Sequence, residues 1–278
     1  KKVKTPFWES SNHVCLNVRD MTLIIGDEII ETPPTCRWRY FETDYLKHLF
    51  FNYFSTGAKW TKAPAPLMLD SSFDLSYVDR TDGAREYYEE QLEENPDEFH
   101  VGFEMMFDAA NCMRLGKHII FNSVTKNSDL GVEWLQKHLG SEYTVWPVQI
   151  CDSHIDTSFI PLRPGLMLLD RPEILDRLPE PLHTWDVIYN PKSYDNFPRY
   201  ENNTVKIASD AIDINLLMVN PNLAIVQERN IETLGPLLGK YNIECIPVKI
   251  RHDQLFAGGH HCTTLDIRRT GELEDYFA

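Results

Sequence analysis

The order strand, helix, strand can be read twice in this chain, the second time with a further strand before it, and a repeated module constrains a fold more than any single motif does. In one copy, residues 118–122 (HIIFN) are an apolar strand. Residues 128–139 (SDLGVEWLQKHL) then carry the period of an amphipathic helix capped by Ser128, and residues 143–150 form a further strand. In the other copy, residues 214–219 turn through Asn-Pro-Asn into a strand at 223–227, followed by a helix at 232–241 and a strand at 243–250. Repetition of one supersecondary unit implies modules arranged around an axis.

The rest of the chain fits around that repeat as a single domain over residues 1–278. Residues 21–30 (MTLIIGDEII) predict two short strands about a Gly-Asp turn. From Arg37 to about Ser55, aromatic and apolar residues recur at helical spacing, which predicts a buried helix. Residues 57–100 are rich in Pro, Asp and Glu and read as irregular connections with a short acidic helix at 84–93. A last strand is expected directly after the glycines, histidines and cysteine of AGGHHC, reaching the Arg268-Arg269 pair.

Composition excludes several classes. A net charge of −15 argues against nucleic acid and anionic membrane, both of which require basic surface. No apolar run approaches the roughly 20 residues of a membrane span. The six cysteines (Cys15, Cys36, Cys112, Cys151, Cys245, Cys262) are scattered and form no CxxC, as expected for free thiols in a reducing compartment, hence a cytoplasmic location. A mitochondrial location is the alternative if an upstream targeting segment is missing.

Four polar clusters stand at strand edges or turns: Val18-Arg19-Asp20, Phe107-Asp108-Ala109-Ala110-Asn111, Asp152-Ser153-His154-Ile155-Asp156, and the glycines and histidines before Cys262. Each has a plain structural reading as a turn cap, a packed histidine or a buried thiol. A metal site at His260, His261 and Cys262 is disfavoured, because neighbouring side chains on an extended segment diverge. A thiol nucleophile fits better: covalent attack by cysteine needs a histidine within reach and a carboxylate to orient it, and Cys262, His154 and Asp108 supply one of each.

Through VKTPFWE, RDMTLIIGDEIIE, RWRYFE, GAKWTKAPAP, FDAAN, GVEWLQKHL, SHIDTSF, DINLLMV and GGHHCTTLDIRRTG, the chain resembles the amidinotransferases of the guanidino-group-modifying superfamily. These include glycine amidinotransferase of creatine synthesis and enzymes of cyanobacterial toxin pathways. The resemblance implies a pseudo-fivefold α/β propeller of ββαβ modules, here without the N-terminal module that precedes VKTP. It implies no cofactor and no metal, small-molecule partners (L-arginine and an amine acceptor), and is compatible with a homodimer.

Position by position, the resemblance makes Cys262 the nucleophile, His154 the general acid/base and Asp108 its carboxylate partner. It assigns Asp20 and Asp156 to the guanidinium and Arg171 to the donor's α-carboxylate. Ser209 stands, with Ala208, where the creatine-pathway enzyme has a serine pair. Ser153 and Cys151 replace a methionine and an asparagine of that enzyme beside the acceptor. The expected activity is transfer of an amidino group from L-arginine to a primary amine; the alternatives are an arginine deiminase-type hydrolase and an inactive binding homologue.

Overall fold

The computed structural model describes residues 2–11, 16–74, 102–191, 209, 212–271 and 273–277. The expected acidic helix at 84–93, Ala208 and Cys15 lie outside them. After a small hairpin of β1 (Lys2–Lys4) and β2 (Glu9–Ser11), four three-stranded sheets follow in chain order.

Strands β3 (Thr22–Ile25), β4 (Glu28–Glu31) and β5 (Lys59–Lys62) form the first. Then come β6 (Cys112–Leu115), β7 (His118–Asn122) and β8 (Thr144–Val148), and β9 (Phe159–Arg163), β10 (Leu166–Leu169) and β11 (Asp186–Tyr189). The fourth holds β12 (Leu217–Asn220), β13 (Leu223–Gln227) and β14 (Glu244–Val248).

Every sheet has the same plan. The first two strands form an antiparallel hairpin, and the third returns parallel to the second. A parallel return needs a crossover of a dozen or so residues, usually helical. Here α1 (Lys47–Ser55), α2 (Lys126–Leu139) and α3 (Ile231–Gly239) serve the first, second and fourth modules. The third crosses over by 3-10 turns at Pro172–Arg177 and Glu180–Thr184, where prolines 172, 179 and 181 withhold backbone donors from an α-helix. The module therefore occurs four times among the described residues, twice more than its helical signature revealed.

Apolar faces weld neighbouring modules. Leu23 and Ile30 of the first pack with Phe107, Ile119, Phe121 and Leu135 of the second. Ile120, Phe159, Leu168, Ala224, Val226 and Leu234 join the second, third and fourth in one cluster.

Three local expectations are corrected. The helix 37–55 splits into 3-10 turns at Arg37–Arg39 and Glu42–Leu46 followed by α1, and it is not buried. Only Phe50 of α1 is buried, against Ile24, Ile29 and Trp60, while Phe51 and Phe54 are 62% and 53% exposed. The aromatics ring this helix on all sides, and a sheet covers one side only.

The second helix starts at Lys126 and is capped by Thr125 rather than Ser128. Thr125 Oγ1 accepts from the Ser128 N–H at 3.2 Å, and Ser128 Oγ accepts from the Thr125 N–H at 3.0 Å, a reciprocal capping box.

Among the described residues, no strand follows Cys262. The carboxylate of Asp266 instead ties the segment after it to Arg19 at 3.1 Å and Arg269 at 2.8 Å, so side chains and not a ladder hold it.

That segment returns over the second module, where Phe277 stacks on His118 with ring centroids 4.1 Å apart. Gly116, at φ +63°, turns the β6–β7 hairpin directly beneath it, and a β-carbon there would overlap the Glu274 carbonyl oxygen. Gly116→Ala is expected to lower the stability of the chain by about 1–3 kcal/mol. Chemical denaturation checks this; an unchanged midpoint would show that the segment is not docked on the hairpin.

Candidate active site

The repeat puts one polar residue at the same place in each module. Asp20, Asp108, Asp156 and Asn215 each lie two to four positions ahead of the first strand of their sheet, β3, β6, β9 and β12. All four are buried. They meet at one end of the axis, where His154 and Cys262 join them.

Asp108 is the best satisfied. Its Oδ1 accepts from the Thr35 N–H and hydroxyl at 3.0 and 3.1 Å, and its Oδ2 accepts from His154 Nε2 at 3.0 Å. Burial alone would push its carboxyl up; the His154 bond and the Arg39 charge outweigh that and hold it down to about 2.

His154 also lies with Nδ1 3.7 Å from Asp20 Oδ2. Its burial favours the neutral ring, yet Asp20 and Asp108 together raise it to about 9, so the imidazole is cationic at neutral pH.

Asp20 keeps less help. Arg39 Nη1 approaches its Oδ2 at 3.1 Å, but burial still pushes this carboxyl up to about 6 against the pull of His154 and Arg39.

Asp156 Oδ2 accepts from His261 Nδ1 at 2.7 Å and from the Cys262 thiol at 3.2 Å. Burial would raise it as well, but His261 and His154 bring it to about 2. One oxygen of each guanidinium candidate is left over: Oδ1 of Asp20 and Oδ1 of Asp156 are buried and have no hydrogen-bond partner. Buried lone pairs of this kind are costly, and they are rare enough to mark a place for a donor.

The thiol itself is 1% exposed, by burial a residue of the core. Burial, then the Asp156 and Asp20 charges, raise it well above the ordinary thiol value, while the Asn215 side chain opposes them by donating Nδ2 to Sγ at 3.1 Å. Asn215 Oδ1 accepts from the N–H groups of His261 and Cys262 at 3.0 and 3.1 Å, so one amide grips both the sulfur and its backbone. Gly259 permits that grip, since a β-carbon there would sit 2.7 Å from the Asn215 carbonyl oxygen. The two histidines of the stretch part company: His260 Nε2 bonds the Val248 carbonyl at 3.0 Å, and His261 turns to Asp156.

Arg39 and Asn215 were not singled out from the sequence. Both sit inside motifs that were (RWRYFE and DINLLMV), and the Arg39–Glu42 spacing was a usable signal: Glu42 holds the guanidinium at 2.6 and 3.1 Å and aims it at Asp20 and Asp108. Asn122, closing β7, was also missed. Its side chain bonds Ile150 N and the carbonyls of Cys151 and Ser153 at 2.9–3.0 Å, fixing the loop that carries His154.

The remaining candidates are Arg171, Ser209, Ser153 and Cys151. Arg171 follows β10 with its side chain 49% exposed, 3.7 Å from Asp170. The Ser209 N–H bonds the Gln254 carbonyl at 2.9 Å. Ser153 is exposed, and the half-buried Cys151 thiol, raised by burial, bonds the Ser153 carbonyl at 3.3 Å.

No family model matches the chain. L-arginine:L-lysine amidinotransferase of Pseudomonas savastanoi pv. phaseolicola is 35% identical over 276 residues, which cover 98% of this chain and 71% of the relative. Mitochondrial glycine amidinotransferase of Xenopus laevis is 35% identical over 287 residues, 99% of this chain and 64% of that protein. Among solved structures, a saxitoxin-pathway amidinotransferase of Microseira wollei superposes with TM-score 0.81 at 34% identity, over 99% of this chain and 76% of its own. A dimethylarginine dimethylaminohydrolase of Pseudomonas aeruginosa shares the fold alone, at TM-score 0.56 and 14% identity over 87% of this chain and 72% of its own. The architecture common to these structures is the α/β propeller that the repeated modules imply.

Burial and the Asp156 and Asp20 charges keep Cys262 a thiol and not a thiolate at neutral pH. Its alkylation by iodoacetamide in the substrate-free protein, followed on the Cys262 peptide, should still be accelerating at pH 9. A plateau reached below pH 7 would show a thiolate already formed.

Proposed function

The chain belongs to the amidinotransferase family, and from that membership we propose that it moves the amidino group of L-arginine to a primary amine through a covalent adduct on Cys262. One observation carries the reading: two buried carboxylates from different modules of the ring, Asp20 and Asp156, each present an unpartnered oxygen beside the buried thiol of Cys262. A guanidinium offers five N–H donors and one positive charge, which is what Asp20 and Asp156 lack.

The same charge prepares the nucleophile. The carboxylates that raise the Cys262 thiol are neutralised when the guanidinium binds, so ionisation becomes favourable with substrate in place. Sγ attacks the guanidinium carbon and the bond to the side-chain nitrogen of arginine breaks. The thiol's proton goes to solvent on ionisation, and His154, cationic beforehand, delivers its own proton to that nitrogen and is left neutral. Ornithine leaves. A primary amine then gives its proton to His154 and attacks the amidino carbon; the C–S bond breaks and the guanidino product is released. Asp108 holds the imidazole in position, and Arg39 keeps both Asp108 and Asp20 charged.

Arg171, half-exposed beyond β10, is the proposed partner of the donor's α-carboxylate, with Ser209 beside the amino-acid end. Ser153 and Cys151, on the loop before His154, are the proposed wall of the acceptor pocket. The relatives' names carry L-lysine and glycine as acceptors, so the acceptor is set by a panel of amines and not by analogy. The hydrolase alternative has no comparable support: the sequence relatives described above are amidinotransferases, and the hydrolase shares only the fold.

Arginine incubated with glycine, lysine and other amines should give ornithine only when an acceptor is present. Citrulline formed without an acceptor would overturn the transferase reading. Cys262→Ala should abolish turnover with the fold intact by circular dichroism, and His154→Ala should lower kcat by about 10²–10⁴-fold.

The pH profile has a stated sign. Asp20 is charged above about 6 and neutral below it, and a cationic donor needs it charged. kcat/KM for arginine should therefore fall as pH drops through about 6, and Asp20→Asn should remove that acid limb along with most of the activity. A profile flat from pH 5 to 8 would contradict the role of Asp20.

A further inference from the structure

The axis of the ring has a second end. The thiol cluster lies ahead of the first strands β3, β6, β9 and β12. The opposite end, where those strands turn at Gly26, Gly116, Pro164 and Pro221, opens into a cavity of about 610 Å³. The partition between the two is made of Arg19 and His261: Arg19 Nε donates to the His261 carbonyl at 2.7 Å, and its backbone N–H to the Cys262 carbonyl at 3.2 Å.

The charge of this cavity runs against that of the chain. In a protein of net charge −15 it is lined, among the described residues, by five arginines, residues 19, 114, 163, 268 and 269, and by two carboxylates, Asp266 and Glu274. The three arginines nearest the axis share one counterion. Asp266 takes Arg19 at 3.1 Å, Arg269 at 2.8 Å and Arg114 at 3.7 Å.

Their other bonds go to backbone carbonyls, which carry no charge: Arg114 Nη1 to Ile24 O at 2.7 Å, and Arg269 Nη2 to Met218 O at 2.7 Å. A guanidinium has five N–H donors, and these bonds leave part of each fork unspent. Arg19 is almost buried and Arg114 is largely so, which makes the surplus positive charge expensive. Burial, then the charges of Arg19 and Arg269, pull Arg114 down to about 10.

We propose that this end of the channel binds a compact oxyanion, a phosphate or small dicarboxylate, between Arg114, Arg19 and Arg269. Such an anion supplies the charge that Asp266 alone cannot, and its oxygens match the planar forks. The site is separate from the amidino-transfer chemistry and does not rest on it, since Arg114 and Arg269 touch none of the residues around Cys262.

Isothermal titration with inorganic phosphate and with malonate, against chloride at equal ionic strength, tests the proposal. Saturable binding of either one is expected, which also ranks the two anions, with a raised melting temperature. Arg114→Gln should weaken it by about tenfold or more. Arg269→Gln, at a half-exposed position, should do likewise if the first variant does not fold. Binding should persist in Cys262→Ala and be additive with arginine. No saturable binding, binding indifferent to both arginine substitutions, or an anion that competes with arginine would each overturn it.

Discussion

Three carboxylates converge on one buried space, and the protein's own cations do not fully answer them. Asp20, Asp108 and Asp156 come from three successive modules, each placed just ahead of a first strand, so the ring forces them together whatever their charges prefer. Like charges a few ångströms apart repel by about 4 kcal/mol even at an effective dielectric of about 20. Arg39 and His154 are distributed against this, Arg39 between Asp20 and Asp108 and His154 between the same pair from the other side, while His261, its imidazole pulled down by burial and the Arg19 charge, gives Asp156 a hydrogen bond and not a charge. The remainder is a local negative field centred on Cys262. That field explains both why the thiol rests protonated and why a cationic substrate would switch it on.

The architecture accounts for how so few residues do this. A repeated ββαβ unit delivers equivalent positions to one end of an axis, and four modules fill them with Asp, Asp, Asp and Asn. The substitution of amide for carboxylate in the fourth module is the useful asymmetry. Asn215 can donate to sulfur and accept from the backbone of residues 261 and 262, and a fourth carboxylate at that place could not donate to the sulfur. The opposite end of the same axis shows the reverse polarity, arginines around a single Asp266. The ring thus separates charge along its length.

Legibility in the sequence followed the range of the interactions. The second and fourth modules could be read because their crossovers are amphipathic helices with a clear period. The first and third could not, since α1 is aromatic on every side and the third crossover is broken by prolines. Cys262, His154, Asp108, Asp20 and Asp156 were legible as polar residues at strand edges and by resemblance, and the structure gathers all five. Arg39, Asn122 and Asn215 escaped because nothing local tells a buried, fully bonded arginine or asparagine from an exposed one. Their side-chain partners lie 19 to 69 residues away, apart from Glu42. Arg171 and Ser209 were named by resemblance alone.

The account stands or falls on the carboxylate field, and His154 is its natural probe. In protein labelled at histidine with ¹⁵N, the ring of His154 should titrate with a midpoint of about 9 and remain cationic at pH 8, set apart from the other nine histidines by its loss in His154→Gln. A midpoint at or below the ordinary histidine value of 6.5 would mean that Asp20 and Asp108 do not charge it, and the proton donor on which the chemistry depends would be absent.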